Sequence, residues 1–128
     1  MSVKVTPVLS GERNVVLHVY IKGDATGDIS DNVIADPADY GMKGARRFFT
    51  IDGIQADLSG FSAKLKFEYL SSDTLIWVIP EFDSSQDFSE YGGLKDRSPE
   101  LDGSGKVLLS TSGLAAGDEG SFVLRLRK

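Results

Sequence analysis

From Val15 to Lys22 the chain alternates, with Val15, Leu17, Val19 and Ile21 on one face and Val16, His18, Tyr20 and Lys22 on the other. That period of two is what a strand with one dry face requires. Leu65, Phe67 and Tyr69 alternate with Lys64, Lys66 and Glu68 within Ala63 to Leu70, and Phe122, Leu124 and Leu126 alternate with Val123, Arg125 and Arg127. Both stretches read as half-buried antiparallel strands. Leu75 to Ile79 is apolar on both faces and stops at Pro80. It predicts a central strand covered above and below, with pairing ended where proline has no N–H to donate. Val3 to Val8, Asn32 to Ala35, Arg47 to Gln55 and Lys106 to Thr111 are less regular strand candidates.

Turn chemistry separates nearly all of these segments: Gly11, Gly23-Asp24, Gly27-Asp28, Asp36-Pro37, Gly60, Ser71-Ser72-Asp73 and Gly113 to Gly120. Glycine there supplies positive φ, and Asp or Ser side chains bond their own backbone. No segment keeps a helical period. The pattern predicts an all-β domain, a β-sandwich or jelly roll of roughly seven to eight mostly antiparallel strands. Its expected core includes Leu17, Val19, Leu65, Phe67, Ile76, Val78, Leu124 and Leu126, and Trp77 is expected there too, since large aromatics dominate such interiors.

The chain has 128 residues, which makes one domain, 1–128, large enough to bury a sizeable core unaided. It has no cysteine, so neither a disulfide framework nor a thiolate metal site is available. Nothing after Met1 to Val5 resembles the apolar core of a signal peptide, and no apolar run has the length of a membrane-crossing helix. The expected place of synthesis is therefore a cytoplasm, with no membrane anchor.

Charge changes the picture in one place. Between Glu81 and Asp102 stand seven acids and two bases, a local charge equal to the whole net charge of −5. Phosphate binding needs clustered Lys and Arg, so this balance argues against nucleic acid as a partner. The same acidic stretch, read as a long loop, carries Phe82, Phe88, Tyr91 and Leu94 among Ser, Asp, Glu and Gly, where no alternation assigns them to a core. They are candidate anchors for a protein partner, or a lid that packs back. The basic clusters around Arg46 and Arg47, and around Arg125 and Arg127, complement the acids and are candidate parts of the same contact surface.

Catalytic chemistry finds little support. The single histidine, His18, lies mid-strand with no nucleophile and orienting acid beside it. Gly103-Ser104-Gly105-Lys106 is not a phosphate-binding loop: Glu100 stands at the required glycine position and Val107 follows the lysine. Asp24, Asp28 and Asp31, with Asp36 and Asp39, could supply oxygens to calcium, but their spacing fits no calcium loop and aspartates are ordinary turn residues. The reading is therefore non-enzymatic, with no cofactor and no metal.

The order Asp57-Leu58-Ser59-Gly60-Phe61, Leu75 to Glu81, Asp87-Phe88, Gly92-Gly93-Leu94-Lys95-Asp96, Gly105-Lys106 and Gly113 to Gly120 resembles small virion structural proteins of tailed bacteriophages. The resemblance implies a capsid decoration (cement) protein acting in the virion, with a neck- or tail-associated role as the alternative. It also implies partners in the major capsid protein or neighbouring copies, as a homo-oligomer such as a trimer or as monomers on a lattice. A carbohydrate- or receptor-binding sandwich is the rival reading, in which loop aromatics stack on sugar rings.

Overall fold

The computed structural model describes residues 2–42, 48–70, 73–95 and 103–128. Arg46 and Arg47 lie outside the described residues. Among the described residues nine strands form: β1 (Ser2–Ser10), β2 (Asn14–Lys22), β3 (Asn32–Ala35), β4 (Thr50–Ser59), β5 (Ser62–Tyr69), β6 (Thr74–Ile79), β7 (Phe82–Asp87), β8 (Gly103–Ser112) and β9 (Glu119–Arg127). They make a five-stranded sheet in the order β1-β2-β9-β4-β7 and a four-stranded sheet in the order β3-β8-β5-β6. Every pairing is antiparallel. The architecture is an all-β sandwich.

The alternation sets the register. Val19, Phe122 and Ala56 face each other across β2, β9 and β4, and Leu17, Leu124 and Ile54 form the next inward row. A slip of one residue in any strand would turn such a row to solvent, so burial of one face fixes the pairing. The four-stranded sheet presents Leu65 beside Leu109 and Phe67 beside Val107, and all of these side chains are buried. Burying a Leu or Phe side chain is worth about 1.5–3 kcal/mol, so these rows supply most of the cohesion.

Two sequence expectations need correction. Leu75 to Ile79 is not a central strand: β6 pairs only with β5 and forms one edge of the four-stranded sheet. Its outer face stays open, leaving Leu75 53% and Val78 44% exposed. Val78 stands beside Lys64 on that outer face, so it is not part of the core, whereas Ile76 and Trp77 pack partly buried against the core from the inner face. The acidic stretch after Pro80 is also not all loop, because Phe82–Asp87 forms β7 against β4. Its residues, Phe-Asp-Ser-Ser-Gln-Asp, have low strand propensity, and pairing with β4 overrides it. The all-β sandwich expected from the sequence is the fold found, with nine strands among the described residues.

Candidate interaction surface

β7 is the outer strand of the five-stranded sheet, paired with β4 from Leu58 opposite Phe82 to Gly53 opposite Asp87. Beyond it the chain folds back on β4. The Asp87 carboxylate accepts from the Ser89 hydroxyl at 2.6 Å and the Ser89 N–H at 2.9 Å, while the Phe88 N–H donates to Asp52 O at 2.8 Å. A 3₁₀ turn at Ser89–Tyr91 follows. Gly92 and Gly93 then take positive φ of 79° and 89°, a region costly for side chains and open to glycine. Leu94 returns to exchange both backbone hydrogen bonds with Ile51, at 2.9 and 2.8 Å. The edge of β4 is therefore covered first by β7 and then by Leu94.

Two arginines of β9 hold this segment in place. Arg125, Gly53 and Asp87 share a row across β9, β4 and β7. A side chain at Gly53 would overlap the Arg125 guanidinium, and the glycine leaves a gap through which Arg125 reaches 3.8 Å from Asp87. Arg127 donates to Gly92 O at 2.5 Å. The same Nη2 stands 3.3 Å from Asp52 Oδ1, an ion pair without hydrogen-bond alignment, since that oxygen has no hydrogen-bond partner. The Ser89 hydroxyl and N–H, with Arg125, hold the Asp87 carboxyl below its ordinary value.

The four apolar residues of this segment divide. Phe88 is 4% exposed, and its ring meets Trp77 of β6 edge-to-face, centroids 4.9 Å apart at 69°. It closes the space between the sheets at the β6–β7 side and is a core residue, not a partner anchor. Leu94 is half-buried against the core through its bridge to Ile51, so it too packs back. Phe82, 69% exposed, and Tyr91, 77% exposed, remain open. Phe82 also holds φ at 76°, a conformation that is a genuine outlier for a bulky residue. Arg125 and Arg127 lie beside Asp87, Asp52 and Gly92 of the same chain. The sequence held no periodic signal for Phe88, because Ser84 and Gln86 stand at the alternating positions between it and Phe82.

The other candidates are elsewhere. The turn aspartates are engaged within the chain: Asp24 accepts from Thr26 N and Asp36 caps the 3₁₀ turn at Pro37–Tyr40, while Asp28 accepts from Leu114 N at 2.7 Å and the Thr111 hydroxyl at 3.1 Å and Asp31 accepts from Ser110 and Lys66. Among the described residues no three His, Cys, Asp or Glu side chains converge as a metal site. His18 sits on the outer face of the five-stranded sheet between Thr6 and Val123. With Gln55, Asp57, Asp83 and Ser121 it lines a shallow groove of about 380 Å³. A second depression, sharing Asp57 and Ser121, continues past Tyr20, whose hydroxyl is pushed above its ordinary pKa by burial and by the Glu119 carboxylate. No protein family, curated protein or solved structure matches the chain.

Proposed function

We propose that this protein is a non-enzymatic structural protein of a tailed-phage particle, most simply a capsid decoration protein that docks on the assembled lattice. The observation that carries the reading is Phe82: a bulky aromatic held exposed, in a backbone conformation that costs of order 1–3 kcal/mol, where the surrounding strand pairing over-determines it. Such strain is retained where a side chain must be presented. Tyr91 stands exposed beyond the far end of the same strand. An aromatic anchor buried in a partner is worth about 2 kcal/mol or more, and a repeating lattice lets small contacts act together, because each further contact is effectively intramolecular. The test is gel quantification in purified particles. A stoichiometric copy number supports decoration, a few copies per particle supports the neck or tail, and absence from particles removes the reading.

The groove beside His18 favours a second reading, a saccharide-binding sandwich. Its lining of Tyr20, His18, Gln55 and carboxylates, with no Lys or Arg, suits hydroxyl-rich uncharged ligands and repels phosphate. Soluble oligosaccharides should then raise the melting temperature, and no shift at millimolar sugar excludes it.

A further inference from the structure

Among the described residues the sandwich has four edge strands: β1 and β7 in one sheet, β3 and β6 in the other. Exposed edges offer unpaired backbone groups to any passing strand, and proteins guard them with charge, proline, bulges or brevity. β1 carries Lys4, Pro7 and a register shift between Pro7 and Leu9. β7 carries Asp83 and Asp87. β3 has four residues. β6 is Thr-Leu-Ile-Trp-Val-Ile, with no charge and no proline inside it and a bulge at Ile76 as its one irregularity. β3 also lacks charge and proline but is only four residues long, so β6 is the longest edge without a charged or proline guard.

We infer that β6 pairs antiparallel with β6 of a second copy of this chain, joining two four-stranded sheets across a two-fold axis. The occupant follows from the register. Centring the axis between Ile76 and Trp77 sets Thr74 opposite Ile79 of the partner subunit, Leu75 opposite Val78 of the partner subunit, and Ile76 opposite Trp77 of the partner subunit. Antiparallel partners share a face. In one chain Leu75 and Val78 both stand on the outer face beside Lys66 and Lys64, and Thr74, Trp77 and Ile79 stand on the inner face beside Phe67, Leu65 and Ala63. Outer therefore meets outer, and inner meets inner, over the whole strand. A two-fold operator needs this self-complementarity.

The outer row then reads Lys64, Val78, the partner's Leu75, the partner's Lys66. Neighbouring strands are about 4.8 Å apart, so the two lysines are about 14 Å apart, beyond the screening length of about 8 Å at physiological salt. The Lys64 stem can lie over the apolar pair, whereas Lys66 is drawn to Asp31 on the far side of β8. The side chains that leave solvent are the exposed Leu75 and Val78.

The single tryptophan of the chain is Trp77, so one fluorophore sits in the proposed seam. The experiment is analytical ultracentrifugation of the full chain with Trp77 emission recorded across the same concentrations. The expected result is a monomer–dimer equilibrium with an emission change that tracks it, lost in Val78→Lys and in Leu75→Lys, and kept in Leu9→Lys on the opposite edge. Both β6 substitutions replace exposed outer-face side chains, and circular dichroism confirms that each variant is folded. A wild-type chain still monomeric at about 100 μM, far above the micromolar Kd of a modest interface, overturns the inference. So does a dimer that survives both lysine variants, or one that Leu9→Lys abolishes. Particle attachment through Phe82 and Tyr91 is measured separately and stands or falls on its own.

Discussion

Phe82 opens a six-residue strand and Phe88 directly follows it, and the two have opposite fates. Phe88 fills the seam against Trp77, so Phe88→Ala removes an aromatic pair and leaves a cavity at the edge of the core. We expect a loss of about 3–5 kcal/mol in denaturant unfolding, with Trp77 emission shifted because its ring neighbour is gone. Phe82→Ala and Tyr91→Ala touch no core and should change stability by less than about 0.5 kcal/mol. The same contrast separates Leu65 from Val78 on adjacent strands. Leu65→Ala should cost about 2–5 kcal/mol, and Val78→Ala far less, since its side chain is largely in solvent. Titration gives a further check. The Leu114 N–H and the Thr111 hydroxyl hold the Asp28 carboxyl below its ordinary value, and Asp87 is lowered chiefly by Ser89. Carboxyls lowered in the folded state stabilise it above their unfolded pKa, about 3.9, and that contribution disappears as pH falls through the folded values. Unfolding free energy should therefore be level from about pH 7 to 5 and fall below about pH 4. Asp28→Ala should be less stable at neutral pH with a shallower acid decline, and an unchanged decline contradicts the assignment.

Among the elements, those with strict alternation were legible in the sequence, and those set by pairing were not. β2, β5 and β9 announce themselves because one face is buried along their length. β3 was legible too, bracketed by turn aspartates. β6 misled because a run of apolar residues says nothing about how many neighbours a strand has: an edge strand with one covered face can be as apolar as a central one. β7 was illegible because Phe-Asp-Ser-Ser-Gln-Asp has neither strand propensity nor an apolar face, and becomes a strand only because β4 offers its edge. The Arg125–Gly53–Asp87 row could not be read either, since it joins residues from three strands through register. That row makes its own prediction. Gly53→Val fills the gap that Arg125 crosses, displaces it from Asp87 and overpacks the sheet, at a cost of about 1–3 kcal/mol, while the conservative Arg125→Lys should cost less.

For the molecule as a whole, the structure divides its surfaces. The outer face of the five-stranded sheet is polar and grooved, the β6 edge is apolar with neither charge nor proline, and the ends of β7 hold exposed aromatics whose basic neighbours are already engaged within the chain. The pattern of apolar residues among acids placed the contact surface on the acidic segment, and two of its four apolar side chains, Phe88 and Leu94, instead turn inward, because the return of Leu94 to β4 makes that segment part of the sandwich. What remains for a partner is Phe82 and Tyr91. Since rim charges mainly set association rate, raised salt should slow attachment with little effect on its final extent. The most direct measurement is co-sedimentation of the protein with purified tailed-phage particles that lack it, comparing wild type with the Phe82→Ala, Tyr91→Ala double variant. The account predicts that wild type pellets with particles at saturable stoichiometry and that the double variant, folded and equally stable, stays in the supernatant. Undiminished binding of the double variant, or no binding of the wild-type protein, would contradict it.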